Sequence, residues 1–243
     1  MITSDVKLDL LHLPKNTEDL LIRMMRQVPT SGRGTCNCGM EIDACKGLIP
    51  RIVFGPRNIA QVKLVVVGKN PGHPMDNWDE SGKYCAALRG DTTGLSTRLL
   101  EAQSQWGYEA HLRGQLYNRH QYHRNLMIFL EKVFNTDRTE DVIDQVYVTE
   151  LLKCSTPKER QNFRNSEFKP IVRKCRDDWL KRELDFFPAL PVVALGRDVE
   201  FFLKELTELK DRVVYHPHPA YSVSRVTKKS ADEAVARLKE YLS

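Results

Sequence analysis

Four short runs, "VKLVVVG", "QVYVTEL", "LPVVALG" and "DRVVYHP", are apolar on most of their length and rich in valine. A strand with one wet face alternates polar and apolar side chains, so runs without that alternation must be covered on both faces. Segments with helical spacing of apolar residues lie between and around them, near 94–105, 124–134, 167–186, 197–209 and 230–242. Strand-length runs alternating with helices predict an α/β fold: a single domain with a mostly parallel central sheet flanked by helices on both faces. Ligands bind such sheets at the carboxyl ends of the strands. Two loops occupy that place, "GKNPGHP" after the first run and "HPHPAY" after the last.

At 243 residues and 41% hydrophobic, the chain can bury one proper core. No internal repeat, low-complexity block or linker divides it. "NTEDLLIRMMRQV" reads as a helix capped at Asn16 or Thr17, so residues 1–35 are expected to form a helical extension ahead of an α/β domain over 36–243. The polar, glycine-rich "PTSGRGTCNCGMEIDAC" is expected to form little regular structure on its own. No run of about 18 apolar residues exists, so no membrane span is expected. Acidic residues stand where a secretory signal would have a basic n-region, which predicts an intracellular protein, cytoplasmic in a prokaryote. The net charge of +5 allows a polyanionic partner without requiring one.

Six cysteines in a reducing compartment are poor disulfide candidates and point to core thiols, metal ligands or a cluster. Cys36, Cys38 and Cys45 lie in the glycine-rich stretch, Cys154 follows the second strand, and Cys175 falls within a helix. Two thiolates from each group would staple the N-terminal loop to the core around tetrahedral zinc or a [4Fe-4S] cluster. The spacing is not that of a zinc ribbon, and unrelated buried thiols are the alternative. Cys85, isolated after Tyr84, reads as an ordinary core or pocket thiol.

With "GKNPGHP", "YVTELLKC", "PVVALG" and "YHPHPAY" in this order, residues 36–226 resemble the uracil-DNA glycosylase superfamily. The layout is similar to that of its iron-sulfur branch, where one cysteine pair precedes the first strand and a second brackets the stretch after "VYVTELLKC". The first loop looks more like the Gly-x-Asn-Pro-Gly version of the mismatch-specific and single-strand-selective branches. The resemblance implies a doubly wound fold, DNA carrying a damaged, deaminated base as partner, and a monomeric, monofunctional glycosylase. It also implies a structural [4Fe-4S] cluster on Cys38, Cys45, Cys154 and Cys175, with Cys36 as the alternative to Cys38 and zinc as the lesser alternative occupant.

Base excision explains why such residues are wanted. Breaking an N-glycosidic bond builds positive charge on the sugar and negative charge on the departing base, so the site must position water and donate hydrogen bonds to the base. Asn70 is the residue expected to orient the water through its carboxamide oxygen, and Gly68 and Gly72 let the backbone approach the extruded base. The second loop supplies a histidine to the leaving base in the family: His216 is the first candidate and His218 its rival. Tyr84 is the candidate to stack on the base. Arg89, and Arg225 with Lys228 and Lys229, are candidate phosphate contacts. His73 matches a loop histidine of the fast uracil-specific branch, where a tyrosine stands in place of Gly72.

Glu150 departs from the pattern, because the family commonly has an asparagine there to read uracil. An ionised carboxylate only accepts hydrogen bonds; it meets the O4 lone pairs of uracil unfavourably and suits an exocyclic amino group better. Burial would instead protonate it and let it donate to a carbonyl. Glu150 also admits two other outcomes: a helix-capping or salt-bridged residue, or a nucleic-acid-binding member of the fold that has lost excision. A member that links covalently to DNA through the loop histidine is the enzyme rival, and a zinc-stabilised nucleotide-binding protein is the most distant one.

Overall fold

The computed structural model describes residues 15–43, 48–50, 59–69, 94–96, 98–99, 121–154, 162–220 and 225–243. Its centre is a four-stranded sheet of β3 (Leu64–Gly68), β4 (Val146–Glu150), β5 (Val192–Leu195) and β6 (Val213–His216). All neighbours are parallel, in the order β4-β3-β5-β6. The four valine-rich runs are these four strands.

Alternate side chains of each strand enter different cores. Val65, Val67, Tyr147, Val192, Ala194 and Val213 point into one cluster, and Leu64, Val66, Val146, Val148, Val193 and Val214 into the other. Both faces are therefore dry, as strands without polar alternation require.

The second face is covered by α2 (Gln121–Phe134), α3 (Thr139–Ile143) and α7 (Arg225–Leu242). Their apolar residues Leu126, Leu130, Val133, Ala234 and Leu238 recur at helical spacing. The first face carries α1 (Lys15–Met25), α4 (Lys169–Cys175), α5 (Lys181–Leu184) and α6 (Arg197–Lys204). Between α4 and α5 the helix passes through a π-helical turn, Arg176–Leu180.

Boundaries differ from the sequence reading in understandable ways. The helix read as 197–209 stops at Lys204 and resumes as a 3-10 turn at Thr207–Leu209. Helix α7 begins at Arg225, five residues ahead of the apolar periodicity, because its first turns are polar. The short α3 was not anticipated. The glycine-rich stretch does form regular structure: β1 (Arg33–Thr35) and β2 (Glu41–Asp43) make an antiparallel ribbon. It is pinned by what it buries, Cys36, Cys38, Met40 and Ile42, against the main core. Leu20, Leu21, Met24 and Met25 place the apolar face of α1 in that same core, and Val28 just beyond it follows them. The helix expected near 94–105 and the run "RIVFG" lie wholly or largely outside the described residues. No helix among the described residues is long and apolar enough to cross a membrane.

Candidate cysteine centre and sheet-edge site

The chain places a cluster of thiols on the first face. The turn "CNCG" is closed by the Gly39 amide donating to the Cys36 carbonyl at 2.8 Å and the Cys36 amide donating to Met40 at 2.9 Å. It presents Cys36 Sγ and Cys38 Sγ 2.6 Å apart, both buried. Cys154, just past β4, brings its Sγ to 3.5 Å from Cys36. The three sulfurs lie within 4.8 Å of one another and can hold a metal ion.

Cys175, at the end of α4, joins from the far side. Its sulfur accepts the Lys153 amide at 3.3 Å and hydrogen-bonds Cys38.

Hydrogen bonds from Cys154, Cys175 and Cys36 push the Cys38 thiol down. Cys154 is pushed up by its bonds to Cys36 and Cys38 and by burial, and Cys175 by its bond to Cys38 and by burial. Cys36, Cys38 and Cys154 can thus hold a metal ion, and Cys175 adjoins Cys38. Cys45 and Cys85 lie outside the described residues.

Beside these thiols is a buried ion pair. Lys153 Nζ is 2.7 Å from Glu183 Oε2, with the two side chains 1% and 0% exposed. Thr149 donates to the same carboxylate oxygen at 2.6 Å and accepts from Lys153.

The second site lies at the carboxyl edge of the sheet. The connection leaving β3 leads to β4 on one side, and that leaving β5 leads to β6 on the other. The crevice of the fold therefore opens between the ends of β3 and β5. Each of these strands is followed or closed by a glycine, and each glycine lies under a side chain from the end of, or just beyond, the neighbouring strand.

Gly68 is the register partner of Glu150. A Cβ at Gly68 would stand 2.8 Å from Glu150 Cδ and closer still to a carboxylate oxygen, so glycine is what lets the half-buried carboxylate lie across the end of β3. At Gly196, with φ at 98°, a Cβ would meet His218 Cβ at 3.4 Å. His218 is likewise half-buried.

Tyr122, at the start of α2, adjoins both groups. Its ring centroid is 5.4 Å from that of His218, and burial with the charge of Glu150 holds its phenol well above the usual range. The Asn125 amide donates to the Pro219 carbonyl at 2.7 Å and ties the same helix to the histidine loop. The Ala220 amide donates to His218 Nδ1 at 3.3 Å, which leaves the neutral ring its proton on Nε2. Burial, and then the Lys69 ammonium, lower this histidine to about 4. Lys69 itself pairs with Asp198 at 2.7 Å, and Arg164 reaches the same carboxylate at 3.0 Å.

His216 is placed differently. It is 5% exposed, its ring centroid lies 4.0 Å from that of Phe129, and its Nδ1 has no hydrogen-bond partner among the described residues. Burial lowers it to about 4. Lys228 is exposed on α7, and Lys229 pairs with Glu233 at 3.9 Å. Arg225 begins α7. Asn70, Gly72, His73, Tyr84 and Arg89 lie outside the described residues.

Sequence reasoning overlooked Tyr122, Gly196 and Lys69. Gly196 had a usable signal, because it ends a strand run just as Gly68 does; Tyr122 had none in "QYHRNL". No protein-family model matches the chain, and no curated protein is similar to it.

Proposed function

We propose that the protein is a DNA base-excision glycosylase that takes a flipped, damaged base into the crevice between β3 and β5 and hydrolyses its N-glycosidic bond. The observation that carries this reading is the pair of side chains folded over glycines at the carboxyl edge of the sheet, Glu150 over Gly68 and His218 over Gly196, with Lys69 beside His218. In the sequence Asn70 comes two residues after the end of β3 and opens the Asn-Pro-Gly run.

In this reading water adds to C1′, the C1′–N bond breaks, and its electron pair leaves with the base. The Asn70 carboxamide oxygen orients the water. His218, neutral and with its proton on Nε2, donates to the base as negative charge grows there, a role for which a preorganised donor is suited. We assign this role to His218 because His216 is shut into the core against Phe129. Lys228, with Arg225 at the start of the same helix, is a candidate phosphate contact.

The cysteine centre is read as a [4Fe-4S] cluster, with zinc as the alternative occupant. Its role is structural: hydrolysis moves no electron, and the four sulfurs tie the β1-β2 turn to the segment after β4 and to the end of α4.

The test is alkaline cleavage of end-labelled oligonucleotides carrying uracil, hypoxanthine, xanthine, thymine or 8-oxoguanine, single-stranded and opposite each normal base. Release of a base by the wild type that falls about 10²-fold or more in Asn70→Ala and His218→Ala is expected. Intact DNA binding with no base release and no covalent adduct overturns the enzyme reading and leaves a binding module. A denaturation-resistant adduct identifies the covalent rival.

A further inference from the structure

Lys153 is held at both ends by one helix. Its backbone amide donates to Cys175 Sγ at 3.3 Å, and its ammonium lies 2.7 Å from Glu183 Oε2. Cys175 ends α4 and Glu183 belongs to α5, with the π-helical turn Arg176–Leu180 between them. In plain α-helix a side chain eight positions after Cys175 would point about 80° away from it. A π turn takes up one extra residue, which removes most of that offset. The irregular turn thus sets the thiol and the carboxylate on one face of the helix, towards the same lysine.

The segment that carries Lys153 is pinned on its other side as well. The Leu151 amide donates to the Gly68 carbonyl at 2.9 Å and the Leu152 amide to the Lys69 carbonyl at 3.1 Å, so the pairing of β3 with β4 continues past the strand ends. The residue after Lys153 is Cys154, whose sulfur stands with those of Cys36 and Cys38. The grip on Lys153 therefore fixes where the third sulfur sits.

Charge gives the lysine a second part. Each thiolate brings one negative charge and a divalent cation only two positive ones, so a metal held by three or four thiolates leaves the centre net negative. In a dry core that is costly unless an opposite charge lies near. The Lys153 ammonium, 1% exposed, is such a charge, and Glu183 keeps it ionised. Cys38 and burial push the Cys175 thiol up, while the Lys153 amide and ammonium act the other way. Core packing alone does not call for this pair, because apolar residues of similar volume often serve a core as well as a buried ion pair does.

We propose that Lys153 and Glu183 are positioning residues of the thiol centre, which strengthen its hold on a thiophilic cation by fixing Cys154 and by keeping a positive charge beside the sulfurs. This rests on the metal-centre reading and goes beyond it in giving the ion pair a part in binding.

The test is chelator competition. Full-length protein is purified without oxygen, with the zinc or iron it carries, and a chromogenic chelator is added until half of that metal is lost. Lys153→Met combined with Glu183→Leu fills the same space with apolar side chains. It should yield its metal at about 10- to 100-fold less chelator than wild type, the range found when a partner of a metal ligand is removed. Glu183→Gln keeps the ammonium and offers it a carboxamide oxygen, so it should hold metal at least as well as wild type. A pair that served only the fold would not divide the two variants in this way.

A double variant that holds metal like wild type overturns the proposal, and so does Glu183→Gln as weak as the double variant. Should the double variant not fold by circular dichroism, Lys153→Gln, polar but uncharged, takes its place with the same expectation. A wild type that carries no metal removes the centre itself and this inference with it. Metal held equally by all the proteins removes only the part given to Lys153 and Glu183.

Discussion

Lys153 Nζ lies 2.7 Å from Glu183 Oε2 in a setting where neither side chain is more than 1% exposed. The same lysine's backbone amide donates to Cys175 Sγ. Removing one partner strands the other charge in a dry core, which destabilises far more than the pair itself stabilises. Lys153→Met should lower the unfolding free energy by about 3–5 kcal/mol, read by urea denaturation. Lys153→Met combined with Glu183→Leu should recover most of that loss. A double variant no more stable than the single one would show that the pair is needed for more than charge balance.

The histidine shut against Phe129 gives a pH signature. His216 is lowered to about 4 in the folded chain, against its ordinary 6.5. Between these values the unfolded chain binds the proton and the folded one does not, so stability rises with pH across this window and falls as the solution is acidified. From pH 7 to pH 5 this one group should remove about 2 kcal/mol. His216→Phe keeps an aromatic ring against Phe129 and should flatten that part of the profile, measured by urea unfolding at pH 7, 6 and 5.

Metal content tests the sulfur site directly. Protein purified without oxygen should carry iron and show the broad visible absorption of a cluster, or else stoichiometric zinc and no colour. Cys154→Ser should lose the metal in either case and lower the urea midpoint, because the segments carrying Cys36 and Cys154 are then tied only by packing. Cys85→Ser, at a position read from the sequence as an ordinary core or pocket thiol, should leave metal content unchanged.

The closeness of residue 68 to Glu150 predicts that the two positions act as a unit. Gly68→Ala should displace the carboxylate and lower the urea midpoint of the wild type, and do so much less in Glu150→Ala, since residues in contact are not additive. Urea unfolding of the four proteins measures this. Full additivity would mean that the carboxylate does not fill the space over Gly68.

The sheet is legible in the sequence because strands buried on both faces betray themselves by continuous apolar runs. The carboxyl ends of the strands followed from that, since the end of each run is fixed once the strands are. Other parts depend on tertiary company. The ribbon of β1 and β2 forms because Cys36, Cys38, Met40 and Ile42 have a core to enter, and its three-residue strands carry no pattern of their own. Spacing left open which thiols assemble; the close approach of Cys36 and Cys38 arises from one turn, not from a repeat. Tyr122 belongs to the site only because α2 packs its first turn over the histidine loop, a relation between segments 94 residues apart at the Asn125–Pro219 bond.

The thiol centre spans 118 residues between Cys36 and Cys154. A ribosome adding about 5–20 residues per second emits the first two sulfurs on the order of ten seconds before the third. During that interval the apolar face of α1 and the "CNCG" turn have no sheet to lie on, and their thiols stand open to oxidation or to a stray metal. The segment carrying Cys36 and Cys38 is therefore made before β4 and secured after it, and under the metal-centre proposal delivery of the metal once β4 and α4 emerge becomes a step of biogenesis. Yield in cells should respond to the supply of that metal more sharply than the stability of the finished protein does.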